Sequence, residues 1–280
     1  MWRDTRLTRL LDIELPIIGA PMAGGPSTPE LAAAVSNTGA LGSLGIAYAT
    51  PDAIRDAIRA TRALTDAPFQ ANLFVPPTEE APLDAAAVGR VETLLAGLRA
   101  DLGLPERLPV PARAAVDFAT QAEVLLAERV PVAGFAFGVP PADLVAQLRA
   151  NGSVVVGTAT NVAEGRALVA AGVQVVVAQG AEAGGHRGQF LGGDGSSATE
   201  GGPRETGAPA GDPLGTMALV PAMVDPFSQS DVPVVAAGGL RDGRSILAAL
   251  SLGADGAQLG TALLLTAEAG TNAAYRAALA

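Results

Sequence analysis

The sequence predicts a single-domain α/β chain closed as a (β/α)8 TIM barrel. From Val132 onward five strand-like runs, VAGFAFG, VVVGTA, VQVVVAQG, VPVVAAGG and DGAQLGT, alternate with helical patterns. Three further runs precede them, bringing the count to the eight strands of a barrel. The composition agrees, because 16% charged and 49% hydrophobic residues suit a sheet covered by helices on both faces, and much of the apolar count is alanine, a helix former. Right-handed crossovers in one parallel sheet make the barrel the simplest closure, with an open doubly wound sheet as the alternative. One such domain consumes nearly all of a 280-residue chain.

The elements follow in order. LPIIGA, Leu15 to Ala20, is a short apolar run that reads as the first strand, and APMAGG is its outgoing loop. A helix then begins where Ser27 and Glu30 stand at capping-box spacing with Pro29 in the first turn, and Gly39 stops it. Ala40 to Gly45 is the second strand. Thr50 and Pro51 open the next helix, whose Ile54 and Ile58 face inward and whose Arg55, Arg59 and Arg62 face out. Phe69 to Val75 is the third strand. An irregular excursion at about 76–116 holds one helix, Val88 to Leu102, before a return helix at Asp117 to Glu128. The later helices are expected at Pro141 to Ala150, Val162 to Ala171, Leu214 to Val224 and Asp242 to Leu252. A stretch at about 189–213, rich in Gly, Ser, Pro and acidic residues, is too polar to fold alone and reads as a lid or a disordered insertion over the C-terminal face.

Composition also excludes chemistry. A net charge of −10 and the lack of a basic stripe argue against nucleic acid as a partner. No apolar run approaches the ~20 residues that span a bilayer, and none follows the arginines of the first nine residues, so a cytoplasmic protein without a membrane partner is expected. Without cysteine there is no disulfide, thiolate nucleophile or cysteine metal site. Without lysine, Schiff-base chemistry is impossible, which removes lysine aldolases and pyridoxal phosphate enzymes. No metal site is expected, since the one histidine has neither a second histidine nor a tight carboxylate cluster beside it, and Asp242 and Asp255 read as helix-terminal residues. Gly24 and Gly25 lack the spacing of a dinucleotide fingerprint, and no G-x-S-x-G elbow occurs.

The candidate site is QGAEAGGHRG, Gln179 to Gly188. It follows the apolar run Val173 to Ala178 and holds His186, the chain's one histidine, a residue type that titrates near neutrality. That places a candidate acid or base where parallel α/β folds build their sites. Gly184, Gly185 and Gly188 suit a backbone that turns with positive φ or approaches a ligand closely. Two more glycine clusters, AAGGLRDGR at Ala236 to Arg244 and QLGTA at Gln258 to Ala262, end the last two strands, the usual phosphate site of a barrel.

APMAGGPSTPELAAAVSNTGALGSLG, NLFVP, FGVPP, QGAEAGGHRG, AAGGLRDGR and QLGTA, in this order, resemble the nitronate monooxygenase family, formerly called 2-nitropropane dioxygenases, from about Leu7 to Glu268. The resemblance implies an FMN-dependent oxidoreductase that converts alkyl nitronates, with O2, to carbonyl compounds and nitrite. It implies that Met22 lines the flavin ring, that Asn72, Gln179, Gly184 and the adjoining Gly185 lie against the cofactor, and that Gly238, Gly239, Gln258, Leu259, Gly260 and Thr261 complete its site. His186 is then the catalytic base or proton donor beside a nitronate or nitroalkane. Two alternatives stay open at this point: an FMN-dependent NAD(P)H quinone or enoyl reductase on a similar barrel, and a phosphate-binding barrel lyase or isomerase without flavin. Assembly into a homo-oligomer is compatible with each.

Overall fold

A computed structural model describes residues 2–77, 84–105, 116–191 and 213–280. The expected lid falls largely at 192–212, and the flanks of the excursion at 78–83 and 106–115, outside the described residues. Eight parallel strands run β1 (Ile17–Gly19), β2 (Gly42–Gly45), β3 (Phe69–Phe74), β4 (Val132–Ala136), β5 (Val154–Ala159), β6 (Val175–Gln179), β7 (Val234–Ala237) and β8 (Gly256–Leu259). From β2 to β8 each pairs with its sequence neighbour, and β8 pairs with β1. The ring closes between β1 and β2 through a single bridge, with Gly19 N–H donating to Leu41 O at 2.8 Å and Leu41 N–H to Ile17 O at 2.9 Å. The closed barrel is therefore the observed architecture, and the open sheet is not.

Alternation along the strands sorts side chains between two apolar clusters. Val132, Val156, Val175, Val177 and Val235 join Ile18 and Leu41 inside the barrel, while Ala133, Phe135, Val155, Val176 and Ala178 pack outward on the helices. Burial on both sides explains why these strands read as continuous apolar runs. Each fully buried Val or Ile contributes about 1.5–3 kcal/mol relative to exposure.

The helices are α1 (Arg6–Leu11), α2 (Pro29–Asn37), α3 (Pro51–Leu64), α4 (Ala85–Asp101), α5 (Phe118–Ala127), α6 (Ala142–Ala150), α7 (Val162–Ala170), α8 (Thr216–Phe227), α9 (Gly243–Ser251) and α10 (Ala273–Leu279). Helix α3 shows the local logic. Thr50 caps it, Pro51 fits its first turn, and Ile54, Ile58 and Thr61 are buried one turn apart. Its outer Arg59 and Arg62 converge on Glu128, at 2.8 and 3.1 Å, where α5 ends. The cap of α2 differs from expectation: Thr28, not Ser27, accepts the first-turn N–H, from Leu31 at 3.0 Å.

Helix α1 was not legible from hydrophobic period, being only six residues long. A reciprocal Thr5–Thr8 capping box starts it, and Asp12 ends it with a left-handed φ of 53°. Leu7 and Leu11 plug the N-terminal mouth of the barrel. Arg6 clamps that plug: its Nε and Nη2 donate to the two Asp255 carboxylate oxygens at 2.9 and 2.8 Å, and its Nη1 donates to Ser230 O at 2.7 Å. Asp255 also accepts the Val234 N–H at 3.0 Å, so it is a strand-end anchor and not a helix cap. Asp242 does cap α9, and the Ser245 N–H together with the Arg244 guanidinium holds its carboxyl well below the usual range.

Candidate active site

Toward the C-terminal ends of the strands, polar side chains face inward. Register sets Gln179, Ala237, Gln258 and Ile18 side by side across β6, β7, β8 and β1. Asn72 of β3 lies opposite Gly134 of β4 and is buried. A Cβ on Gly134 would fall 2.7 Å from Asn72 Oδ1, so the glycine leaves that amide its room. Asn72 makes one long bond, from Nδ2 to Leu73 O at 3.4 Å. Beneath it, the buried Gln70 Oε1 and Ser43 Oγ, on laterally paired residues, have no hydrogen-bond partner. Polar atoms without partners are costly in a core and concentrate where a ligand or water completes them.

The histidine loop hangs from β6 by one side chain. Gln179 Oε1 accepts the Gly188 N–H at 2.6 Å, and Gln179 Nε2 donates to His186 O at 3.1 Å, so a single amide holds the loop's returning end above the strand. Gly185 turns the loop with φ 78°, and a Cβ there would meet open space. Gly184 makes the close approach, since its Cβ would lie 2.5 Å from Thr261 Oγ1. The β6 loop therefore rests on the turn after β8, and Gly184 and Thr261 are brought together.

Gly238 and Gly239 end β7 with φ of 120° and 67°, which L side chains rarely adopt. No hydrogen bond joins the backbone N–H groups of Gly239, Gly260 and Thr261 to another described residue. The neighbouring helix starts are already occupied by carboxylates of this chain. Asp242 occupies the start of α9, and the Glu182 carboxylate occupies the start of α8, accepting from Thr216 N and Oγ1 at 2.7 and 2.9 Å. Partial burial works against the Glu182 charge, but the Thr216 donors outweigh it and hold the carboxyl below its ordinary value. The backbone donors that remain at these two strand ends belong to loop N–H groups.

Met22 sits on the loop after β1, where its N–H donates to Ser27 Oγ at 2.8 Å, the role Ser27 plays in place of a cap. Gln258 faces the mouth. Leu259 does not: its side chain lies on the helix side of β8, and its carbonyl accepts the Ala20 N–H at 2.8 Å. Sequence reasoning missed an aromatic row. Tyr48, Phe74, Phe137 and His186 follow one another edge to face, with centroid separations of 5.4, 4.6 and 6.2 Å. The one signal for it was Phe137 beside Gly138 at a strand end. Open grooves of about 440 and 550 Å³ lie among other residues, at Leu11–Asp12–Arg62 and Arg149–Gly152–Gln174, and touch none of this constellation.

Residues 4–280 match the sequence profile described as nitronate monooxygenase. The chain belongs to the nitronate monooxygenase family. It is 42% identical over 273 residues to a probable nitronate monooxygenase of Staphylococcus haemolyticus, covering 97% of this chain and 71% of that one. A probable nitronate monooxygenase of Staphylococcus aureus is 38% identical over 279 residues, covering 100% and 73%. Among solved structures, nitroalkane oxidase from Streptomyces ansochromogenes superposes with a TM-score of 0.82 at 39% identity, over 98% of this chain and 72% of that one. FabK from Thermotoga maritima superposes with a TM-score of 0.69 at 30% identity, over 98% and 67%. Among the described residues no helix is long and apolar enough to cross a membrane.

Proposed function

We propose that this family member is an FMN-dependent oxidase of alkyl nitronates and nitroalkanes, working in the cytoplasm with O2 as co-substrate. The observation that carries this reading is one mouth holding His186 on its Gln179 tether, the inward-facing amides of Asn72 and Gln258, and backbone N–H donors at the ends of β7 and β8. The residues fit a flavin mononucleotide. Gly239, Gly260 and Thr261 would hold the phosphate through N–H groups, a mode suited to a chain without lysine. Asn72 and Gln258 would meet the polar edge of the ring system, Met22 its face, and Gly184 and Gly185 its border. When bound, the flavin supplies an acceptor for the electrons of the carbon acid and a route for them to O2.

The remaining work falls to this chain's own groups. An imidazole nitrogen of His186 takes the proton from the α-carbon of a neutral nitroalkane, and with a preformed nitronate it orients the anion. The Gln179 amide fixes the backbone that carries that ring. The aromatic row flanks the reacting carbon on one side and limits water there.

The test is the visible spectrum of purified protein before and after anaerobic addition of ethyl nitronate. The expected result is a yellow protein that releases FMN on denaturation and bleaches with the nitronate. A colourless protein, or one that bleaches with NADH or NADPH and ignores the nitronate, contradicts the proposal.

A further inference from the structure

Strand β4 sends Val132, Gly134 and Ala136 inward and Ala133 and Phe135 outward, with Phe135 packed in the outer cluster near Phe118. Strict alternation would send Phe137 outward too. Instead Phe137 takes a left-handed φ of 67°, a conformation that a bulky residue without a glycine's freedom seldom holds. Its ring then meets Phe74, an inward-facing residue of β3, at 4.6 Å and 87°, and His186 at 6.2 Å and 89°. Strain of this kind persists where the surroundings over-determine it, and an observed outlier is a pointer to function.

We propose that Phe137 is a specificity-determining residue, and that the wall it forms with Phe74 takes the straight alkyl chain of the substrate. This rests on the nitronate reading above. The α-carbon must lie within reach of the His186 imidazole, so whatever extends from that carbon lies close to the ring that touches the imidazole edge. Among the described residues, the inward positions at the ends of β7 and β8 are Ala237 and Gln258, followed by glycine backbone, and none of them is a large apolar side chain. Phe74 and Phe137 are each half-buried, and Tyr48 continues the row to the rim with 63% of its surface exposed, so hydrophobic area remains to be covered.

The test uses unreactive probes, because straight-chain carboxylates share the planar anion of a nitronate. Dissociation constants of propanoate, butanoate and pentanoate are measured by calorimetry on the purified holoprotein and on Phe137→Ala. For the wild type we expect affinity to rise about fourfold per added methylene. In Phe137→Ala the increment should fall below twofold, with the propanoate constant changed less than threefold. An unaltered increment, or one common factor at every chain length, overturns the proposal. If Phe137→Ala fails to fold, Phe137→Leu and Phe74→Ala decide on the same criterion. Chain-length-dependent binding in a protein that oxidises no nitronate would leave the wall standing and refute the reaction. Nitronate oxidation with increments indifferent to Phe137 would do the reverse.

Discussion

The two ends of this barrel are built on opposite terms. At the N-terminal end, α1 inserts Leu7 and Leu11, and the Arg6–Asp255 pair is satisfied on both sides by donors and acceptors from three segments. At the C-terminal end, the buried Asn72 makes one long hydrogen bond, Gly238 and Gly239 hold left-handed backbone, and Phe137 is strained without being a glycine. A closed barrel separates stability from function along its axis, so the end that is worse packed is the end that is kept for a ligand. Substitutions at one end should act on melting with little effect on the site, and at the other the reverse.

The largest effect expected is at the glycine turn. Gly239→Leu places a branched side chain at φ 67°, with its Cβ 3.3 Å from that of Glu182, in the sector proposed for the phosphate. The variant should purify colourless and stay so after incubation with FMN, as read by visible absorbance. Full yellow colour would remove the phosphate from this turn. Next comes the opposite end. Asp255→Asn leaves the Arg6 guanidinium without its counter-ion, a loss worth about 2–4 kcal/mol for a pair that is only partly exposed. Chemical denaturation should show that loss while bound flavin per protein is unchanged.

Two smaller effects separate strain from packing. At Phe137 either glycine or alanine removes the ring, but only glycine accepts left-handed backbone freely, so Phe137→Gly should be more stable than Phe137→Ala by about 1 kcal/mol. Equal midpoints would mean that the backbone relaxes once the ring is gone. The smallest is the Glu182 cap. Because its folded pKa is lowered, the charge stabilises fully above the ordinary glutamate value near 4.3 and the benefit fades as pH falls below it. The Tm gap between wild type and Glu182→Gln should therefore shrink on acidification through that range. A gap that widens there would contradict the assigned direction.

How much of this was legible depended on the length of the signal. The runs from Val132 onward alternate with helices over more than a hundred residues, and β5 falls at Val154–Ala159 as read. The six residues of α1 span under two turns, too short for a period to register, and Asp255 reads as a polar residue near a helix until its partner 249 positions away is in place. At the candidate site, the placement of His186 and the glycine clusters after β6, β7 and β8 was legible because each follows an apolar run directly. The aromatic row was not. Tyr48, Phe74 and Phe137 come from three separate strand ends, and the backbone turn that aims Phe137 inward is invisible in a residue whose strand parity points out. Leu259 was read with its neighbours as a block, whereas alternation turns its side chain away while Gln258 faces in.

The central claim is that His186, mounted by Gln179 beside the aromatic wall, is the base for the α-carbon. The most direct measurement compares kcat/KM for nitroethane and for its preformed nitronate in wild type and His186→Asn, both shown to be loaded with FMN. A positioned base is typically worth ~10² to 10⁴ in rate, so nitroethane turnover should fall by about that factor while a much larger share of nitronate turnover survives. Equal losses on the two substrates would contradict the claim.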